Sequence, residues 1–388
     1  MKNIDDMEKK SCCGCRACEQ ICPKKAINFI ENEEGFLEPK INEKLCVNCG
    51  LCVKRCPQLN RIENDGNLNI RKVFAVKNKN VEEQSQSSSG GIFPVIAKYV
   101  INQGGVVYGC AFNEQMEAEH RAVDNIGKLE ALKGSKYVQS NTKNTYSEVK
   151  ENLEKNIIVL YVGTPCQIAG LKKFLIKNYE NLITVDLLCH GVPSPKFFKK
   201  YVEWLEKKYK GKVLKYNFRD KEKSAWGLSY KSRIVIENKK KFIKGILDPY
   251  ISAFIKGEDL RECCYSCKYT NEERIADITI GDFWGVEKEI PKFYDTNGVS
   301  VCILNSIKGR NVFENVSDCF NLKEVDIKMV KRYADTLREP CKRGEKRDEF
   351  YKNINSNTFM EELNFSPSIK DKIKGIVPDK LKLKIKGL

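Results

Sequence analysis

Two continuous apolar runs dominate the middle of the chain. Ile157–Val162 (IIVLYV) and Leu182–Leu188 (LITVDLL) are separated by the turn GTPC and by Gln167–Lys177, which reads as a helix. Strand, helix and strand in that order make a β-α-β crossover, which predicts two parallel strands buried on both faces. Pro195–Tyr209 reads as the next helix. Val213–Phe218 and Tyr230–Ile236 read as strands, the second with period-two alternation, and Ile275–Ile280 and Val299–Leu304 as two more. Upstream, Val73–Val76 and Val106–Tyr108 read as short strands, and Ile92–Ile101 as a helix with Pro94 tolerated in its first turn. The pattern predicts an α+β chain whose larger part is an α/β domain with a mixed sheet.

Before Val73 the hydrophobic pattern gives way to cysteines. Nine of the chain's 18 lie between Cys12 and Cys56. Cys12, Cys15, Cys18 and Cys22 stand at spacings of three, three and four, followed by Pro23. Cys46, Cys49, Cys52 and Cys56 repeat the pattern, followed by Pro57. This is the bacterial two-cluster 4Fe-4S spacing, in which the fourth cysteine of each run ligates the other cluster. One cluster would take Cys12, Cys15, Cys18 and Cys56, and the other Cys46, Cys49, Cys52 and Cys22. Three thiolates on a tight loop cap three corners of a cube, and the fourth must arrive from elsewhere. Gly14, Ala17 and Gly50 let backbone amides approach the sulfurs. Zinc sites usually use two CxxC pairs rather than a triple with a trailing Cys-Pro. Cys13 falls outside the spacing. Residues 1–60 are thus read as a ferredoxin-type head, 61–71 as a polar linker, 72–325 as the α/β domain, and 326–388 as a helical segment ending in a basic tail.

The length of 388 residues suits two or three domains. No apolar run approaches the roughly 20 residues that span a bilayer, and MKNIDDMEKK lacks the apolar stretch of a signal peptide. The expected location is the cytoplasm, where closely spaced cysteines are metal ligands more often than disulfides. The net charge of +16 suits an acidic redox partner such as a ferredoxin; no nucleic-acid motif accompanies it. Residues 369–388 carry seven lysines against two aspartates. That tail reads either as a docking element for an anionic surface or as a solvated end.

A second cysteine set lies outside the head. Cys166 and Cys189 each follow one strand of the β-α-β unit, at the carboxyl edge where open α/β sheets place ligands. Cys264 and Cys267 form a CxxC pair before the strand that ends ITIGDFWG. These four read either as ligands of a third cluster or as small buried residues. Cys110, Cys302, Cys319 and Cys341 read as structural. His190, beside Cys189, reads as a proton relay or as a structural histidine. Asp186, inside an apolar strand, needs a hydrogen-bonding partner. Asp282 ends a strand, as a site residue or a turn residue does. Ser87-Ser88-Ser89-Gly90-Gly91 runs into a helix N-terminus and reads as an anion-binding loop or as a flexible link.

Taken in order, the two ferredoxin motifs, SSSGGIF, GSKYVQS, GTPCQIAGL, DLLCHGVPSP, CYSCKY and DITIGDFWG resemble the family of coenzyme F420 hydrogenase/dehydrogenase beta subunits, from about Cys12 to Asn305. The resemblance implies an oxidoreductase that carries FAD as well as clusters and acts on a small molecule or the deazaflavin coenzyme. It favours Cys166, Cys189, Cys264 and Cys267 as cluster ligands; His190 and Asp282, read from their positions, are the catalytic candidates. For that flavin the serine–glycine loop, with Ser88, Ser89, Gly90 and Gly91, is the nearest phosphate-friendly element; Ser135 and Lys136 add a contact on the resemblance only, and Thr164 is a further candidate. No GxGxxG fingerprint is present, so the flavin rests on the resemblance alone. Two rivals remain: an electron-relay subunit of a larger complex, and an interaction protein with degenerate clusters, against which all eight head cysteines argue.

Overall fold

A computed structural model describes residues 2–62, 71–222, 225–227, 231–237 and 239–364. The linker expected at 61–71 lies mostly outside these residues, and the basic tail entirely so. The described strands are β1 (Ile27–Glu31) and β2 (Leu37–Ile41) in the head; β3 (Lys72–Asn78), β4 (Val106–Phe112), β5 (Ala118–Val123), β6 (Val159–Gly163) and β7 (Leu182–Leu187); β8 (Val213–Asn217), β9 (Lys231–Ile236) and β10 (Lys239–Lys244); and β11 (Ile278–Asp282), β12 (Ser300–Leu304) and β13 (Phe320–Glu324).

The two apolar runs are β6 and β7, parallel neighbours within an eight-stranded sheet of order β13-β3-β12-β11-β7-β6-β4-β5. β4, β6, β7 and β11 run parallel, and the outer pairings are antiparallel. The expected α+β organisation with a mixed sheet and a β-α-β unit is what the chain adopts. Every residue of β6 is buried, as a strand covered on both faces requires. On one face lie helices Ile92–Asn102 and Ile307–Glu314, packed on Val107, Leu160, Ile183 and Ile278. On the other lie Thr145–Glu154 and Pro165–Leu175, packed on Tyr108, Tyr161 and Val159. Tyr161 and Leu160 are fully buried, one on each face. Such side chains contribute about 2–3 kcal/mol each.

Boundaries shift for identifiable reasons. The crossover helix starts at Pro165 rather than Gln167, because Thr164 caps it in a reciprocal box with Gln167 and proline suits the first helical position. Cys166 is therefore in the first turn of the helix. The strand expected over Ile275–Ile280 starts at Ile278. Just before it, the Asp277 carboxylate accepts hydrogen bonds from the Thr184 amide and hydroxyl and from Ser306, fixing 275–277 as a loop. The edge strand Phe320–Glu324 has too weak an apolar pattern to stand out in the sequence.

A smaller antiparallel sheet, β10-β9-β8, packs with helices Pro195–Tyr209 and Pro249–Lys256 around an aromatic cluster of Phe197, Phe198, Tyr201, Tyr216, Phe218 and Tyr250. The head hairpin β1–β2 and the two cysteine loops sit against the large domain. Arg347 pairs with Glu34 at 2.7 Å, Ser194 donates to the Glu34 carbonyl, and Gln20 accepts from the amides of Tyr146 and Ser147.

Candidate functional site

In the head, each cysteine loop enters a one-turn helix through a left-handed residue, Arg16 (φ 61°) before Ala17–Gln20 and Gly50 (φ 70°) before Leu51–Lys54. That backbone turn brings the third cysteine of each triple back toward the first two. Cys22 lines a shallow depression with Cys46, Cys49 and Cys52, the crossing that the spacing predicts. Cys12, Cys18 and Cys56 are buried together in the apolar centre of the head. Cys15 turns outward onto the large domain, so close to Gly170 that a Cβ there would meet its sulfur at 3.0 Å.

The surroundings suit iron. Burial pushes the Cys18 thiol well up, and neighbouring Cys12 and Cys56 add to this; Cys56 is pushed up to about 12, again chiefly by burial. Such thiols resist ionising alone and ionise when a metal supplies positive charge. Among the described residues no three Cys, His or carboxylate side chains converge as tightly as one metal ion requires. Cluster ligands stand wider apart, each on its own iron.

The large domain builds a second cysteine chamber. β6 delivers Cys166, whose sulfur lies 3.2 Å from the Thr164 hydroxyl. Cys189 follows β7, and the turn Glu262–Ser266 supplies Cys263 and Cys264, with Cys267 next. Cys166, Cys189, Cys264 and Cys267 line one cavity, as the sequence pattern groups them. Two further thiols line it that the pattern leaves out. Cys263 adjoins Cys264, and Cys13 comes from the head, its thiol hydrogen-bonding with those of Cys15 and Cys166. The available signal was that Cys13 stands outside the ferredoxin spacing and so has no place in either head cluster. Gly191 (φ 137°) allows the approach of Cys264, since a Cβ there would collide with Leu260 and crowd Cys264. Arg274 lines the same cavity and meets the buried Asp186 at 2.8 Å, off the axis of its N–H bonds. Thr279 donates to the other oxygen of Asp186. The buried carboxylate is thus partnered, as its position demands.

Beside this chamber, at the carboxyl edge of the parallel strands, lies a cleft of about 510 Å³. Ser88, Ser89, Gly91, Ser135, Lys136, Thr164, His190 and Asp282 all line it. Gly90 sits one layer below. Its amide donates to Ser300 Oγ at 2.8 Å, and a Cβ would strike the Val76 carbonyl at 2.3 Å. The Ser135 amide and hydroxyl both donate to Ser88 Oγ, at 2.8 and 2.9 Å, joining the two segments expected to contact a flavin. Gly91 begins helix Ile92–Asn102 with no side-chain cap, leaving first-turn amides for an anion. Burial holds Lys136 down to about 8, and its ammonium donates to the carbonyls of Ala131 and Lys133.

The two catalytic candidates are engaged locally. Asp282 accepts from Arg219 Nη1 and Trp226 Nε1, both at 2.8 Å, and Arg219 lies over the Trp284 ring. His190 Nε2 lies 3.3 Å from Cys341 Sγ, and burial lowers its affinity for a proton. Unforeseen in the sequence is His120, fully enclosed at the cleft. Its Nδ1 meets Ser140 Oγ at 2.9 Å and its Nε2 the Val162 carbonyl at 3.1 Å. Cys189, His190, Gly191 and Val192 line both cleft and chamber, forming the wall between them.

Paired cysteine loops, a fused mixed-sheet domain and a thiol chamber behind a cleft define an iron–sulfur electron-transfer protein. Residues 11–59 match the 4Fe-4S dicluster domain, and residues 158–329 match the C terminus of the coenzyme F420 hydrogenase/dehydrogenase beta subunit. The chain thus joins a 4Fe-4S dicluster domain to a C-terminal domain from the family of coenzyme F420 hydrogenase/dehydrogenase beta subunits.

Among curated relatives, the F subunit of F(420)H(2) dehydrogenase from Methanosarcina mazei is 29% identical over 189 residues, 46% of this chain and 53% of that one. Coenzyme F420-dependent sulfite reductase of Methanocaldococcus jannaschii is 26% identical over 349 residues, 84% of this chain and 51% of that one. The chain spans about half the length of these relatives. A chain of the F420-reducing NiFe hydrogenase complex from Methanosarcina barkeri aligns at TM-score 0.46 and 17% identity over 69% of this chain and 89% of that one. No described helix is long and apolar enough to cross a membrane.

Proposed function

We propose that this chain is an iron–sulfur flavoprotein oxidoreductase. The head loops hold two 4Fe-4S clusters, Cys166, Cys189, Cys264 and Cys267 hold a third, and the cleft holds FAD beside an organic substrate or the deazaflavin coenzyme. One observation carries the reading: the three compartments are contiguous. Cys13 reaches from the head loop into the chamber, and Cys189 to Val192 separate the chamber from the cleft. Bound there, the clusters supply one-electron steps and FAD converts them to two-electron hydride chemistry.

The residues provide holding and insulation. Ser88, Ser135 and the uncapped first turn at Gly91 offer donors to a pyrophosphate. Asp282 positions Arg219 and Trp226 behind Trp284. Arg274 places a cation at the chamber, paired with Asp186. A cleft of this size lies within the range of small-molecule sites.

Anaerobically purified protein should carry about twelve irons and one FAD per chain, eight of the irons in the head. Stoichiometric zinc, or a reconstituted chain without flavin, would overturn the reading. A relay role within a larger assembly is favoured by the name of one relative, which is a subunit. A purified chain whose flavin bleaches with a donor but which turns over no substrate would decide for it.

A further inference from the structure

The two cysteine loops of the head meet opposite surroundings. Arg261, Gln139 and Thr142 of the large domain donate to the carbonyls of Cys12, Cys13 and Cys15, covering the first loop. The second loop faces water. Cys49 is exposed, and Leu45 and Val47 beside it are 48% and 59% exposed. Apolar side chains so exposed around a cysteine loop serve nothing inside the head.

Charge is arranged around the same loop. Lys24 lines the depression with Cys22, Lys44 precedes Leu45, and Lys54 ends the helix that carries Cys52; all three are exposed. Between residues 42 and 55 the one acidic residue is Glu43. Several acidic side chains elsewhere in the head pair with cations, Glu34 with Arg347, Glu31 with Lys196, Glu19 with Arg16 and Asp5 with Lys9, while Asp6 accepts from the backbone amides of Lys2 and Asn3. The result is an apolar centre with a basic rim over the more accessible cysteine set, the usual anatomy of an electrostatically steered interface.

We propose that this face is the docking surface for a separate, small acidic protein that carries one electron. The proposal rests on the reading of Cys22, Cys46, Cys49 and Cys52 as cluster ligands. The carrier is oxidised by one electron and the head is reduced by one, with no bond made or broken. Leu45 and Val47 form the apolar contact, and Lys24, Lys44 and Lys54 steer the approach. The large domain leaves this end open and closes the other, so electrons enter here and pass inward through the first loop.

The test uses the full chain with its clusters. Stopped-flow mixing with a reduced acidic two-cluster ferredoxin is compared with reduction by photoreduced 5-deazariboflavin, which is small and neutral. The triple variant K24E/K44E/K54E should slow reduction by ferredoxin at least about tenfold at low salt. The difference should close as the Debye length shrinks from about 10 Å at 0.1 M to about 3 Å at 1 M. The deazariboflavin rate should not change. A control triple on the edge strand β10, outside the head, K239E/K240E/K241E, alters net charge equally and should leave the ferredoxin rate near wild type. Equal slowing by both triples would assign the effect to overall charge and overturn the proposal, as would an unaffected head triple. If charge reversal costs the head its clusters, K24A/K44A/K54A replaces it, with a smaller slowing expected and none overturning the proposal. Failure of deazariboflavin to bleach wild-type protein would instead sink the electron-transfer reading.

Discussion

Arg261 Nε donates to the carbonyl of Cys12 at 2.6 Å across 249 residues of chain. The same guanidinium donates to Gln139 Oε1 at 2.9 Å and to the Leu37 carbonyl at 3.1 Å. One buried side chain therefore ties the first cysteine loop, the head hairpin and the large domain together. Arg261→Ala leaves these acceptors without their donor and should lower stability by about 2–5 kcal/mol. Arg261→Lys should recover less than half, because one ammonium cannot span the fork. Thermal unfolding of the loaded protein and iron release to a chelator measure both effects.

The chamber has six thiols and a four-iron cluster needs four. Cys166→Ala or Cys267→Ala should remove about four irons per chain while the head keeps about eight. Cys13→Ala should keep all the iron yet slow electron passage from head to chamber, since its thiol bridges Cys15 and Cys166. Iron analysis with EPR of each cluster separates the cases. Loss of four irons on changing Cys13 would make it a ligand instead. The full chain is the right object, because cutting at residue 71 would strip the contacts of Arg261, Gln139 and Thr142.

Burial lowers His120 to about 4 from an ordinary 6.5. Between those values the unfolded chain takes up a proton that the folded chain refuses. Stability is therefore full above pH 6.5 and falls as pH drops, by about 2 kcal/mol at pH 5. His120→Gln should flatten this slope between pH 7 and 5 in denaturant titrations, even if it is less stable throughout. An unchanged slope would place the pH sensitivity elsewhere.

Asp282 holds Arg219 and Trp226 by its two oxygens, which makes it a positioning residue for the Trp284 side of the cleft. Asp282→Asn should cost about 1–3 kcal/mol and weaken flavin retention, measured by equilibrium dialysis. A carboxylate that only holds Arg219 and Trp226 in place should leave the shape of any pH–rate profile unchanged. A shifted profile would restore it as an acid or base.

What the sequence disclosed followed the range of each signal. The head cysteines could be grouped because their spacing is local, and β6 and β7 because a strand buried on both faces is apolar at every position. Chamber membership of Cys13 and Cys263 was hidden, because it depends on docking that no local pattern encodes. His120 is similar: it lies in the alternating strand Ala118–Val123, and its partners Ser140 and Val162 are 20 and 42 residues away. The serine–glycine loop left two readings open in sequence, and its bonds to Ser135, Val299 and Ser300 show that it is a built wall.

The lid that Arg261, Gln139 and Thr142 place over Cys12–Cys15 bears on how the protein is made. Iron and sulfide reach this loop more readily before the large domain packs on it, so under the proposed cluster reading the head is loaded ahead of that packing. Synthesis supplies the interval, since the head leaves the ribosome while Arg261 is still 249 residues behind Cys12. On that reading, overproduction that outruns iron supply should yield chains that take up iron more slowly when it is added later than chains loaded during synthesis.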